Sequence, residues 1–256
     1  MGGTVEGEGG LFPLGTHIYL AARPDVFYEF VRWEGHVPDA MLAEPEIELL
    51  MDLDRTVSAV FGLVVPEWWR VRHFSTVDVD LEADADDDGL SNRLEFGLGT
   101  DPRSSAVTEQ PLELSFGWNL ISLPVFPSVE GGRLAGLGPA VHPVAWEWDP
   151  LAQSYVATQS ARTLAGVWVF ASKDCTISLK GQAVVDRVLR VYSGWNQSGV
   201  GIAATMTDST LFDGRVWRWS SHHQAYRSIT PGEDIPRGTG MWIHAGTESL
   251  LDLPAP

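Results

Sequence analysis

The densest chemistry in the chain is a run of carboxylates at alternating positions. Asp84-Ala85-Asp86-Asp87-Asp88-Gly89-Leu90-Ser91-Asn92-Arg93-Leu94-Glu95 meets every constrained position of the calcium-loop pattern D-x-[DN]-x-[DN]-G-x5-E. Ca2+ is a hard cation that gathers roughly six to eight oxygens at about 2.3–2.6 Å, and a twelve-residue loop delivers them from its first, third, fifth, seventh, ninth and twelfth residues. Here those are Asp84, Asp86, Asp88, the carbonyl of Leu90, Asn92 (directly or through water) and Glu95, which has the reach to bind through both oxygens. Gly89 stands where the loop must turn sharply, and Asp87, at the fourth position, is expected to point outward. Without a cation the carboxylates repel one another, so an unliganded loop is expected to lose its order. A solvated acidic linker is the competing reading, but the twelve-position match is far more constrained than a run of charge. Sensors need paired loops that expose a groove, and only one loop is present, so its role is expected to be structural. Extracellular modules bind with Kd up to about 10−4–10−3 M, which is useful only where calcium is millimolar, outside the cell.

The second group of residues able to bind something is aromatic. Eight of the 11 tryptophans follow residue 106, as Trp118, Trp146, Trp148, Trp168 and again as Trp195, Trp217, Trp219, Trp242. Gly117-Trp118-Asn119 returns as Gly194-Trp195-Asn196, the pattern W-x-W-x4-Q-x-Y runs from Trp146 to Tyr155 and from Trp217 to Tyr226, and Gly166-Val167-Trp168 returns as Gly240-Met241-Trp242. Three blocks in one order indicate a tandem duplication. On a strand, Trp146 with Trp148 and Trp217 with Trp219 share a face, so each pair is a candidate platform for stacking on a sugar. A duplicated core of large apolar side chains is the stronger reading, because a unit of about 70 residues needs them to be stable.

Catalytic patterns are thin. The seven histidines, His17, His36, His73, His142, His222, His223 and His244, form no metal-ligand spacing, and Gly-x-Ser-x-Gly is absent. Cys175 has no nucleophile motif around it, and His222-His223 falls in an expected turn. The chain is therefore expected not to be an enzyme.

The elements that must position these residues read as strands for the most part. His17–Ala21, Tyr28–Phe30, Ile47–Leu49 and Thr56–Phe61 alternate with period two, separated by turn residues at Gly15, Arg23-Pro24-Asp25, Glu34-Gly35 and Asp52-Leu53-Asp54. Such a small module needs a tight aromatic centre, expected from Tyr28, Phe30, Trp33 and Phe61. Pro66–Phe74 reads as a short helix, and a second runs from Leu90 to Phe96 before Gly97-Leu98-Gly99-Thr100-Asp101-Pro102 stops it. The repeated blocks after residue 106 read as antiparallel strands, with hairpin turns at Asp149-Pro150 and Ser220–His223. The 256 residues carry 34 acids and 17 bases, a net charge of −17, which repels nucleic acid and anionic membranes. Residues 75–105 are the most densely acidic, with nine acids against two bases. One cysteine excludes an internal disulfide framework, and no apolar run reaches the length needed to span a bilayer. The start, MGGTVEGEGG, does not read as a secretory signal, which leaves a cytosolic protein or a fragment of a longer chain, and the repeats favour the fragment.

Gly3-Thr4-Val5, Gly15 with Ile18-Tyr19-Leu20-Ala21-Ala22 and Pro24, Tyr28-x-Phe30-x-x-Trp33-x-Gly35, and Asp54–Phe61 resemble the divergent internalin-B-type repeat over residues 3–62. The resemblance implies a β-grasp-like module of bacterial surface and secreted proteins, structural or adhesive and without catalysis. Phe27 stands where that pattern usually has Gly, and His36 where it usually has Asp. Asp84–Pro102 resembles the thrombospondin type 3 and dockerin-like calcium segments that staple adjacent modules, with no second Asp-rich repeat here. The duplicated part resembles a Gly-Trp-Asn repeat of large secreted bacterial proteins.

The expected architecture is mainly β and multi-module: a β-grasp-like head at 1–62, a helix-loop-helix calcium connector at 63–105, and two tandem antiparallel β units at 106–184 and 185–256. The expected function is a non-catalytic, calcium-stabilised structural or adhesion region of a bacterial secreted or cell-surface protein. It would be monomeric within a longer chain, meeting a protein or glycan surface ligand. A carbohydrate-binding accessory region of an extracellular polysaccharide-degrading enzyme is the alternative.

Overall fold

The computed structural model describes residues 2–127, 134–206 and 215–256. Strands dominate, and wherever pairing is described it is antiparallel. Two compact units divide the chain, Met1–Trp68 and Trp69–Pro256, so the acidic segment and both copies of the duplication fall in the second.

The first unit holds β1 (Gly3–Glu6), β2 (Thr16–Pro24), β3 (Tyr28–Gly35), β4 (Glu46–Met51) and β5 (Val57–Leu63). β2 lies between β1 and β4, and β3 pairs with β5 through a bulge between Phe30 and Arg32. Trp33 is fully buried among Ala22, Ile47 and Leu49, its indole N–H donating to the Glu44 carbonyl at 2.7 Å. Phe30 packs beside it at 5.4 Å between ring centroids and touches Phe61 at 6.3 Å. Tyr28 does not join this centre; it covers Gly2, where a Cβ would lie 2.3 Å from the Tyr28 ring. Phe27 keeps a left-handed backbone, φ +66°, at a position where glycine would be unstrained. At the other unusual position the His36 ring nitrogen Nδ1 accepts the Thr56 N–H at 3.1 Å, a role an aspartate carboxylate fills equally well.

Helix α1 (Glu67–Phe74) leads into the second unit, and α2 (Asn92–Leu98) follows the acidic loop. Ser91 caps α2 by accepting the Leu94 N–H, and Gly99, at φ +74°, ends it. The first copy comprises β6 (Val107–Leu114), β7 (Gly117–Ile121), β8 (Val125–Pro127), β9 (Ala145–Asp149), β10 (Ser154–Thr158), β11 (Val167–Ala171) and β12 (Cys175–Ala183). The second comprises β13 (Val188–Val191), β14 (Gly194–Gly199), β15 (Ala204–Thr205), β16 (Val216–Ser220), β17 (Ala225–Ser228), β18 (Asp234–Ile235), β19 (Gly240–Ala245) and β20 (Ser249–Asp252). The main sheets run β10-β9-β11-β7 and β17-β16-β19-β14, the same order in each copy.

Alternation along the central strands explains how each sheet serves two environments. In β11, Val167, Val169 and Ala171 enter the core of the first copy while Trp168 faces the other way; in β19, Met241, Ile243 and Ala245 do the same for the second copy while Trp242 faces away. The outward tryptophans of the two copies meet in one aromatic cluster. Isolated bridges Ile121↔Thr239 and Ala165↔Ser198 tie the copies together reciprocally.

The repeated motif residues have distinct jobs in this exchange. The block from Leu114 to Leu123 is not one strand: Asn119 Oδ1 accepts the Ser115 N–H at 3.0 Å and its amide donates to the Ser115 carbonyl at 2.9 Å, closing a turn before β7, and Asn196 does the same with Tyr192 at 2.8 and 2.7 Å. Gln224 donates to the Trp118 carbonyl at 3.0 Å and accepts the Trp118 N–H at 3.1 Å, while Gln153 does likewise to Trp195 at 3.1 and 3.2 Å. Gly117 and Gly194 leave room for these amides: a Cβ there would lie 2.9 Å from Gln224 and 3.0 Å from Gln153, on backbones with φ +97° and +93°. Gln224→Ala is expected to lower the stability of the duplicated unit by about 1–2 kcal/mol, the worth of a bidentate amide lock plus its unpaired partners. Urea unfolding followed by tryptophan fluorescence measures it, and Gln153→Ala should cost a similar amount.

Candidate functional site

Residues 75–91 between the helices run through bends and one turn without helix or strand, and the acidic loop is built by its own backbone. Asp84 accepts the N–H of Asp88 at 3.1 Å and of Gly89 at 2.7 Å, and Asp88 accepts the N–H of Leu90 at 2.7 Å. Gly89 takes φ +94° at the sharp turn, and Asp87 is also left-handed at φ +61°. Carboxylate oxygens of Asp84, Asp86 and Asp88 lie within 4.8 Å of one another. Two oxygens on one Ca2+ can be no more than about 5 Å apart, so the spacing suits a shared cation.

The other expected ligands come from α2. Glu95 is 0% exposed and Asn92 is 2% exposed, both turned inward at the start of the helix. The Asn92 amide donates to the Asp80 carbonyl at 2.7 Å, which directs its oxygen away from that contact, and Thr100 donates to Glu95 Oε1 at 3.1 Å. Both oxygens of Asp86, Oδ2 of Asp88, Oδ1 of Asn92 and Oε2 of Glu95 are buried without a hydrogen-bond partner. Buried oxygens are normally paired, so five orphans on four residues of one loop fit a cation that gathers oxygens. Asp80 and Thr100 were not legible as parts of the site, because one contributes a backbone carbonyl and the other a hydroxyl outside the twelve-residue pattern.

The segment is anchored to the duplicated body through Asp186, which is 4% exposed. The Trp69 indole of α1 donates to Asp186 at 2.5 Å, Arg72 reaches it at 3.5 Å and also pairs with Asp252, and the Gly99 carbonyl accepts the N–H groups of Val185 and Asp186 at 2.7 and 3.0 Å. Trp69 packs against Phe96 of α2 at 5.5 Å between centroids, joining the two helices.

Residues 1–64 match the divergent InlB B-repeat domain. Repeats of this type are typical of bacterial surface or secreted proteins. No curated protein and no solved structure matches the chain. That match covers the first quarter of the sequence, and the loop and the tryptophans lie beyond it.

Beyond the InlB B-repeat, the four candidate tryptophans divide by exposure. Trp146 and Trp217 are 42% and 39% exposed, whereas Trp148 and Trp219 pack into the shared cluster with Trp168, Trp195 and Trp242. Their indole N–H groups cross to the opposite copy, Trp148 to the Trp195 carbonyl and Trp219 to the Trp118 carbonyl, both at 2.8 Å. Each W-x-W pair therefore has one half-open indole and one that locks the copies. His222 and His223 are exposed in their turn, and Cys175 packs partly buried at the start of β12.

The electrostatics of the loop follow from burial. Burial pushes the Glu95 carboxyl up to about 8, with the charges of Asp86, Asp88 and Asp101 adding to the rise and the Thr100 hydroxyl opposing it. Burial also raises Asp86, helped by the charges of Asp88 and Asp84, whereas the Gly89 N–H leads the backbone bonds that lower Asp84. A buried carboxyl raised in this way keeps its proton in the folded, calcium-free chain and loses it on unfolding. Between the ordinary 4.5 and about 8 the folded state binds the extra proton, so calcium-free stability falls as pH rises through that window and levels off above it. Thermal melts in chelator across pH 5–9 should show this decline, and Glu95→Gln should flatten it.

Proposed function

We propose that residues 75–105 bind one Ca2+, and that the chain is a non-catalytic, calcium-stabilised structural and adhesion region of a bacterial secreted or cell-surface protein. The observation that carries the calcium reading is the set of five unpaired buried oxygens on Asp86, Asp88, Asn92 and Glu95. Bound there, Ca2+ supplies positive charge and a common partner for oxygens that otherwise have none. Asp84 shapes the loop through Gly89 and Asp88, each of its oxygens keeping a lone pair for the ion. Asp86 and Asp88 bring charge, Asn92 a neutral oxygen held by Asp80, Leu90 its carbonyl, and Glu95 a carboxylate anchored by Thr100. The twelve-position spacing of the loop supports the same reading.

The surface location is supported by the match of residues 1–64 to the InlB B-repeat. Calcium then has a mechanical role. Glu95 and Asn92 sit on α2, α2 packs on Trp69, and Trp69 is bonded to Asp186, so ordering the loop fixes α1 against the duplicated body. The partner is read as a protein or glycan surface.

At calcium about 100-fold above Kd, binding adds about 2.7 kcal/mol, which corresponds to roughly 5–10 °C in melting temperature for a unit of this size. Chelation with EDTA should lower the melting temperature by that amount, and Glu95→Gln or Asp86→Asn should abolish the difference. Melting that is the same with calcium and with EDTA would overturn the reading.

A further inference from the structure

The tryptophan faces of the two copies leave two open clefts between them. One, of about 520 Å³, is lined by Trp148, Tyr155, Trp195, Trp217, Tyr226 and Trp242. The other, of about 470 Å³, is lined by Trp118, Trp146, Tyr155, Trp168, Trp219 and Tyr226. Exchanging each residue for its counterpart in the other copy turns the first set into the second. The duplication has therefore kept two equivalent clefts, including the half-open indoles of Trp146 and Trp217, which a core does not require.

The walls are aromatic faces set nearly at right angles. Trp242 meets Trp148 at 75° and Trp195 at 85°, and Trp148 meets Tyr155 at 79°. In the other cleft Trp168 meets Trp219 at 80° and Trp118 at 89°, and Trp219 meets Tyr226 at 76°. These are edge-to-face contacts between neighbouring rings, so the cleft walls present aromatic edges and faces in several orientations rather than the flat platform that stacks on a sugar ring.

Polar groups in the walls are few, and one of them, the buried Trp242 indole N–H, has no hydrogen-bond partner. The indole N–H groups of Trp148 and Trp219 are held by backbone carbonyls of the opposite copy, and the Tyr155 and Tyr226 hydroxyls sit beside the indoles of Trp168 and Trp242. Among the described residues, no amide, carboxylate, lysine or arginine lines either cleft. A polyhydroxylated ligand would lose its water with little replacement, and a primary ammonium would leave N–H donors unpaired. A quaternary ammonium has positive charge, a methyl-covered surface and no N–H, which is what aromatic walls hold best. The chain's net charge of −17 favours the approach of cations.

We propose that each cleft binds one quaternary ammonium group, so that the chain takes up two. The proposal stands apart from the calcium reading, and its test is run on the full chain in saturating calcium.

Choline is titrated against tryptophan fluorescence and by calorimetry, beside ethanolamine and the neutral isostere 3,3-dimethylbutan-1-ol. The expected result is two equivalents of choline, bound about tenfold or more tighter than either analogue, the margin that cation–π contact gives. Trp217→Ala and Trp146→Ala, both at half-open positions, should each reduce the stoichiometry from two to one while leaving the melting curve in place. Choline binding no better than the neutral isostere, a single equivalent that survives both substitutions, or a response to oligosaccharides with none to choline would each overturn the proposal. Choline-competed sedimentation with phosphatidylcholine vesicles identifies a lipid as the source of the group, and choline-competed capture of a trimethyllysine peptide identifies a protein. Two bound equivalents of choline without either leaves a free small molecule.

Discussion

β7 and β14 are the outer strands of their sheets, and an outer strand exposes backbone groups that the ladder does not pair. At Trp118 and Trp195 those groups are paired by a glutamine from the opposite copy, one amide answering both the N–H and the carbonyl. Both glutamines have φ +48°, a left-handed backbone that costs free energy for a residue with a side chain. The hydrogen bonds and the two glycines opposite them hold that conformation in place. Because the lock fixes the distance between the sheets, it also sets the packing of the aromatic cluster and the width of the clefts beside it.

The acidic segment works under the opposite constraint. Glu95 is buried beside the charges of Asp86, Asp88 and Asp101, and it responds by holding a proton far above the ordinary carboxylate range. A core built to be stable on its own would bury apolar groups here. Charge repulsion inside the loop opposes the apolar contacts among Trp69, Phe96 and the duplicated body, so the balance of this segment depends on the ions around it.

Much of this was legible in the sequence. Period-two alternation located β2 to β5 of the first unit but not β1, and twelve-position spacing picked out the residues whose oxygens are left unpaired. Three repeated blocks exposed the duplication. The rest depended on contacts distant in sequence. Nothing local distinguishes Tyr28, which covers Gly2, from Phe30, which enters the core. Asp186 looks like any surface acid until Trp69 and Arg72 arrive from more than a hundred residues away. Gln153 and Gln224 were visible as shared letters of a motif, but their task lies entirely in the other copy. The tryptophans of each W-x-W pair divide, Trp148 and Trp219 joining the shared cluster while Trp146 and Trp217 stay half-exposed.

The equivalence of the two copies has the form of a two-fold isologous interface carried within one polypeptide. Each cleft draws four of its walls from one copy and two from the other, with Tyr155 and Tyr226 standing in both. The copies are therefore not separable modules on a string. Cutting the chain between them would remove not one cleft but both, and would leave each half with an uncovered strand edge and a tryptophan face in water, surfaces suited to finding a second half of the same kind.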